Sequence, residues 1–355
     1  MDDLAIPTDR PVCVTGASGY LAGWIVRLLL EAGGTVHGTV RDADEPSKTA
    51  HLYALAKGTP GTLKLFEADL LDGGSFLDAV KDCTVVFHTA SPFASQVGDP
   101  QADLVDPAVK GTINVLATCN QVDSVERVVL TSSVAACYCD NRDLAETDTV
   151  VTEERWNDRA SLDHQPYALS KTLAERKAWE MADAQDRWRL VTVNPAFIVG
   201  PGADGAHRAE SFDVIARLAR GDMRFGAPDL SLGAVDVRDV AEVHVRAAFA
   251  PAAQGRHVTF AQTATLLDMG AMLRARLDGG WPLPKGNLPK PLLKLVGPLL
   301  SRHLSRRAID RNVGWPWHGD NTKVREELGM TFRDIGDGLA DMVRQMVASG
   351  RLKAR

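Results

Sequence analysis

The sequence predicts an α/β fold: a doubly wound parallel sheet with a smaller, mostly helical C-terminal lobe. Three observations carry this expectation. Short apolar runs alternate with helical segments up to Ser132, the pattern of stacked βαβ units. The first run, from Val12, breaks at Gly16 and Gly19 and resumes as an apolar-periodic helix from Leu21 to Leu30. Beyond Ser133 the rhythm changes, and from about residue 264 the pattern is helical, interrupted by a proline-rich stretch over 281–298.

The elements follow in order. Gly16 permits a sharp turn after the first strand, and Gly19 lets the backbone approach a pyrophosphate whose charge a helix N-terminus favours. Ala22 holds the third small position, where helix and sheet pass closely. Strand, glycine turn and helix together predict dinucleotide binding in a Rossmann arrangement. A second strand, Thr35 to Val40, ends in Arg41-Asp42. An NAD site usually carries an acid at this strand end, whereas arginine suits a 2′-phosphate, and Lys48 adds a second positive group. The expectation is therefore NADP (NADPH) rather than NAD.

A third strand is predicted over Leu63–Phe66, a helix over 73–81, and a fourth strand over Thr84–His88, with His88 in a core or backbone-facing role. A helix over Gln101–Val122 and a strand from Arg127 to Ser132 complete the alternation. Residues 134–165 read as mostly polar and irregular. A long helix over 165–183 and a strand over Arg189–Val193 come next. Segment 203–230 reads as a helix and a hairpin-like excursion, 235–239 opens a helix to Phe249, and 257–260 is a further strand. The expected division is a dinucleotide-binding domain over 1–200, with 235–262 returning to it, and a substrate lobe from 201–234 and 263–355.

Composition narrows the class. The 355 residues are 45% hydrophobic and 24% charged, ordinary globular values, with a net charge of −6 that speaks against nucleic acid or an anionic membrane as partner. The basic cluster Arg302, His303, Arg306, Arg307 and Arg311 reads as a solvated helix face. Five cysteines without a C-x-x-C pair read as reduced thiols. The acidic N-terminus has no apolar signal region, so a cytoplasmic protein is expected, acting as a monomer or homodimer on a small molecule. The nine histidines form no ligand-spaced pair, so no metal is expected. The aromatic Gly314-Trp-Pro-Trp317 reads as core packing.

Tyr167-Ala-Leu-Ser-Lys171 is the sharpest chemical signal after the glycine turn. Four residues apart on a helix, phenol and ammonium face the same way, and the ammonium is expected to lower the phenol pKa towards working pH. Tyr167 then exchanges a proton with a carbonyl or alcohol oxygen. Thr131-Ser132-Ser133 ends a strand of the parallel sheet, where α/β proteins bind ligands, and offers a hydroxyl beside the phenol.

With these motifs the sequence resembles an extended short-chain dehydrogenase/reductase of the dihydroflavonol 4-reductase, cinnamoyl-CoA reductase and microbial ketoreductase subgroup. The likeness rests on Val14–Gly19, Thr39–Asp42 with Lys48, Ala68–Leu70, Val86–Pro92, Asp106–Val115, Val129–Ser133, Tyr167–Trp179, Asn194-Pro195 and Val199–Pro201. It implies a catalytic triad of Ser133, Tyr167 and Lys171, with Ser132 the alternative serine. It implies cofactor contacts from Gly16, Ser18, Gly19, Tyr20 and Leu21 to the pyrophosphate, and from Arg41 and Lys48 to the 2′-phosphate. Asp69 and Leu70 would hold the adenine; Thr89, Ala90, Ser91, Ser132, Pro195 and Val199 would line the nicotinamide side, where Lys171 also bonds the ribose. Phe93, Tyr138 and Phe197 would meet the substrate. The chain departs from the plant pattern at Ala22, at Tyr138 and over 290–317, which argues against a flavonoid substrate. The implied reaction is NADPH-dependent reduction of a ketone or aldehyde, reversibly an alcohol dehydrogenase. The alternatives are an NAD-dependent nucleotide-sugar epimerase or dehydratase and a hydroxysteroid-type dehydrogenase on the same fold.

Overall fold

The structure, a computed structural model, describes residues 4–91, 97–203, 209–300 and 304–354, without the side chains of residues 47, 48, 299 and 300. Phe93 and the Lys48 side chain lie outside the described residues, as do Arg302 and His303.

The first strand, β1 (Val12–Val14), is buried on both faces, as a parallel sheet covered by helices requires. Val12 and Val14 enter one apolar core with Ile25, Leu29 and Val240, while Cys13 enters the opposite core with Val86, Leu116 and Val128. Helix α1 (Tyr20–Glu31) leads to β2 (Thr35–Val40), α2 (Pro46–Ala56), β3 (Thr62–Glu67), α3 (Leu77–Val80) and β4 (Val85–His88). Then come α4 (Asp106–Cys119), β5 (Arg127–Thr131), α5 (Asn141–Glu146), α6 (Pro166–Asp183), β6 (Arg189–Pro195) and β7 (Phe197–Val199). The chain continues through α7 (Glu210–Arg220), β8 (Ser231–Asp236), α8 (Val237–Phe249), β9 (Gly255–Thr259) and β10 (Gln262–Thr265). Helices α9 (Leu266–Arg276), α10 (Lys290–Leu300), α11 (Arg306–Asn312), α12 (Thr322–Leu328) and α13 (Ile335–Ala348) follow.

Seven strands form one parallel sheet in the order β3-β2-β1-β4-β5-β6-β9. The order reverses between β1 and β4, so the carboxyl ends of those strands open the crevice where such sheets bind ligands. Arg127 locks the sheet to α8: its Nη1 donates to the carbonyls of Ala247, Ala248 and Ala250 at 3.0–3.1 Å, capping that helix's C-terminus.

Several elements differ from the sequence reading. The expected hairpin in 203–230 is absent among the described residues. Instead β8 pairs in parallel with β7 and antiparallel with β10, giving the helical lobe a small sheet of its own. These partners are distant in sequence, so no local turn signal announces them. The helix expected over 73–81 shrinks to α3, because Gly74 takes φ +84° and breaks its start. The helix expected from Gln101 to Val122 divides into a π-turn over Gln101–Val105 and α4, with Pro107 in the first turn of α4. Trp317 is fully buried, edge-on to Phe260 with ring centroids 4.9 Å apart. A Cβ at Gly233 or Gly319 would come within 2.4 or 2.6 Å of its ring. No described helix is long and apolar enough to cross a membrane.

Candidate active site

The mouth of the βα bend is built from backbone. Gly16 adopts φ +65°, and a Cβ there would stand 3.2 Å from Ala90 Cα, so the turn can press against the end of β4 only without a side chain. Gly19 caps α1 with no side-chain hydrogen bond, leaving the first turn of the helix to present backbone N–H groups. Ser18 and Gly19 are exposed there. Thr15, which the sequence reading did not single out, stitches β1 to β4. Its Oγ1 accepts from the N–H groups of Thr89 (3.1 Å) and Ala90 (3.0 Å), and its carbonyl accepts from Thr89 Oγ1 at 2.5 Å. His88 is buried against Thr15 Oγ1 at 3.1 Å, and burial pushes its pKa down to about 3. A neutral, enclosed imidazole bonded to a side-chain hydroxyl has the core role of the two expected for it.

Around this bend the remaining nucleotide-side residues take distinct positions. Tyr20 sends its hydroxyl away, donating to Gly200 O at 2.6 Å, so any contact with a pyrophosphate is through the backbone. Arg41 is exposed just past β2 and forms no ion pair among the described residues, while Asp42 accepts from the Asp44 N–H at 3.2 Å. Asp69 is exposed, with its Oδ1 accepting from Leu71 N at 2.8 Å. Asn114 on α4 holds that loop through the carbonyls of Leu70 (3.2 Å) and Asp72 (2.6 Å).

The chemistry-bearing side chains gather where β4 and β5 end and α6 begins. Tyr167 and Lys171 lie one turn apart on α6, with the ammonium 5.9 Å from the phenol ring centroid. Lys171 Nζ reaches Ser91 Oγ at 3.2 Å, spanning to the end of β4. Ser133 accepts the N–H of Ala135 at 3.1 Å, which orients its hydroxyl just past the end of β5.

Electrostatics correct one expectation. Although Tyr167 as a residue is 51% exposed, desolvation of its phenol, helped by Glu210 and opposed by Ser133, raises the phenol to about 12. The expected lowering by Lys171 does not occur, because the ammonium pays the same burial cost. Its pKa falls to about 8 through desolvation, partly opposed by Glu175. Near neutral pH the phenol is therefore protonated, the state that donates to an oxygen.

The two serines divide sharply. Ser132 is buried and donates to Glu175 Oε2 at 2.5 Å, away from the phenol. Glu175, one turn beyond Lys171 and almost fully buried, also accepts from Thr192 Oγ1 (3.0 Å), Asn194 Nδ2 (2.8 Å) and Arg256 Nε (2.7 Å). Arg256 further bonds the carbonyls of Glu153 and Arg155 and lies 4.0 Å over the Trp156 ring. The sequence reading missed this network. The only signal was an acid continuing the Tyr167–Lys171 face by one more turn.

Of the expected substrate contacts, Tyr138 packs edge-on to Trp317 at 6.4 Å in a satellite core with Val134 and Phe260, and burial raises its phenol. Phe197 lies half-buried on β7 against the lobe core. Pro195 ends β6, and Val199 is wholly buried in the lobe core, so it faces the crevice only through backbone. Behind the start of α6, Cys139, Asp140 and His164 converge with ligand atoms within 4.8 Å. Asp140 already accepts from His164 (2.7 Å), Arg311 (2.5 Å), Asn312 (2.7 Å) and Gln165 (3.3 Å), so Arg311 is the cation there. Burial opposes its charge, but these bonds hold its pKa down to about 2.

Residues 12–260 match the NAD dependent epimerase/dehydratase family. The chain belongs to the extended short-chain dehydrogenase/reductases. It is 44% identical to cinnamoyl-CoA reductase CAD2 of Medicago truncatula over 266 residues, covering 74% of this chain and 79% of that one. It is 35% identical to tetraketide alpha-pyrone reductase 1 of Arabidopsis thaliana over 343 residues, 96% of each chain. Among solved structures, the yeast methylglyoxal/isovaleraldehyde reductase Gre2 complexed with NADPH superposes with TM-score 0.77 at 28% identity, over 96% of this chain and all of that one. Within the family, this chain is an NADPH-dependent oxidoreductase of the reductase branch, acting on carbonyl or alcohol groups.

Proposed function

We propose that this protein reduces a ketone or aldehyde to the alcohol, with Tyr167 giving the proton and Ser133 holding the oxygen. The observation that carries this reading is Lys171, one turn from Tyr167 on the same helix, reaching Ser91 Oγ at the end of β4, with Ser133 held by the Ala135 N–H just past β5. The bend at Gly16 and Gly19, with the bare N-terminus of α1, fits a pyrophosphate, and Arg41 fits a 2′-phosphate. Leu21 adds a first-turn N–H; Thr89, Ala90, Ser91, Pro195 and Val199 wall the nicotinamide side, and Asp69 and Leu70 the adenine side. NADPH, when bound, supplies the hydride. The Ser133 hydroxyl, fixed by Ala135, donates to the substrate oxygen. The Tyr167 phenol then delivers its proton to that oxygen as negative charge develops, and the Lys171 ammonium stabilises the phenolate left behind. In the oxidative direction the same phenolate takes the proton back. The test is NADPH consumption with a panel of aromatic and aliphatic aldehydes and ketones. Binding of NADPH without turnover of any of them would refute the reading.

Two further outcomes follow. The Lys171 charge is lost as pH rises through about 8, so kcat/KM for reduction is expected to be flat below that pH and to fall above it. Lys171→Arg, which stays charged, should keep whatever activity it retains to higher pH. A pH–rate profile of both proteins checks this. Arg41→Ala is expected to raise KM for NADPH by about 10–100-fold, the loss of charge-assisted bonds to a phosphate, with little change for NADH. Steady-state kinetics with both cofactors measures it.

A further inference from the structure

The net charge of −6 conceals a strong local excess. Between Lys285 and Arg311 stand seven lysines and arginines and one acid, Asp310, a net of +6, which leaves the rest of the chain at −12. Of the basic cluster read as a solvated helix face, Arg306 and Arg307 are exposed, whereas Arg311 and the lysines of α10 are engaged elsewhere. Lys290 turns inward, donating to the carbonyls of Asp310 (3.1 Å) and Val313 (2.7 Å), and Lys294 pairs with the Asp310 carboxylate. Arg311 likewise turns inward to Asp140 and Asp143. The outward stripe of α10 is Pro291, Leu292, Leu295 and Pro298, all exposed, with Leu292 at 44% and Leu295 at 66%.

Phe225, 84% exposed, stands at the foot of this helix, where Ala227 N–H donates to Gly286 O and Leu288 N–H to Ala227 O. Around this apolar stripe the cations that do face solvent, Lys285, Arg306 and Arg307, form no ion pair among the described residues. A surface helix of a globular protein places its leucines inward and its lysines outward. Here Leu293 is buried against Ile309 and Val313, but Leu292 and Leu295 stay outside with positive charge at both ends of the helix.

We infer that α10 with its flanking cations is a membrane-surface docking face, seating Leu292, Leu295 and Phe225 among the acyl chains of an anionic bilayer. The occupant follows from charge. A second copy packed two-fold on this face would set Lys285, Arg306 and Arg307 against the same three cations. An anionic lipid surface is complementary, and an apolar helix stripe too short to span, with cations on its flanks, binds it in the interfacial plane. The acidic remainder of the chain is repelled by the same surface, which fixes the orientation.

Co-sedimentation of the full-length protein with phosphatidylcholine vesicles, with and without phosphatidylglycerol, tests this. Wild type is expected to bind the anionic vesicles, more weakly at high salt, and to stay in solution with pure phosphatidylcholine. Arg306→Glu/Arg307→Glu should weaken binding by about 25-fold or more, since each cation near the surface contributes about fivefold. Leu292→Glu/Leu295→Glu should abolish binding, with an unchanged melting temperature in both variants showing that the fold survives. Wild type remaining in solution with anionic vesicles, or either variant binding as wild type does, would overturn the inference. So would a wild-type dimer in sedimentation velocity that Leu292→Glu/Leu295→Glu splits.

Discussion

Tyr167→Phe is expected to lower kcat for carbonyl reduction by about 10²–10⁴-fold while leaving NADPH affinity within a few-fold of wild type. The substitution removes only the phenolic oxygen, and the ring, half-exposed, keeps its place on α6. The loss therefore reports proton delivery and not folding. A companion pair sharpens it. Ser133→Ala removes the hydroxyl proposed to hold the substrate oxygen and should cost activity with little effect on stability. Ser132→Ala removes a donor to a buried carboxylate and should cost stability first. Stopped-flow NADPH oxidation with thermal melts of the three proteins separates the roles. Full activity in Tyr167→Phe would eliminate the assigned acid.

Arg256→Ala is expected to be the most destabilising single change, by about 3–5 kcal/mol, because it strands the Glu175 carboxylate inside the protein without its cation. Ser132, Thr192 and Asn194 would remain as neutral donors, too few to replace the guanidinium. In a chain of this size the melting temperature should fall on the order of 10 °C. Arg256→Met combined with Glu175→Gln should recover most of that loss, since a neutral pair leaves no uncompensated charge. If the single and double variants melted alike, the ion pair would not be what holds α6 to β6 and β9. The same network reaches the site indirectly. Glu175 lies one turn from Lys171 and opposes the depression of its pKa, so the double variant should also move the alkaline limb of the pH–rate profile to lower pH.

How much of this was legible in the sequence depended on how local each signal is. The glycine turn, the β2 strand end at Arg41 and the Tyr167–Lys171 spacing are written within a few residues, and each was found. Thr15, Glu175, Asn194 and Arg256 act through partners as far apart as the strands they join, and their side chains are ordinary in sequence. The phenol pKa departs from the expectation for a related reason: spacing brings an ammonium near, but only the tertiary structure sets how far each group is stripped of water. Likewise net charge is a sum over the chain, whereas the direction in which Lys290, Lys294 and Arg311 point depends on α11 and Asp140.

Taken by itself, the sequence determined the alternating sheet, the βα bend and the helix that carries the phenol, because periodicity, glycine freedom and helical spacing are properties of neighbouring residues. Tertiary structure alone decided which serine bonds a buried carboxylate, which acid is buried with which arginine, and which face of α10 meets solvent. Those outcomes depend on burial and on partners brought together across the sheet, where desolvation makes one pairing favourable and the next one costly.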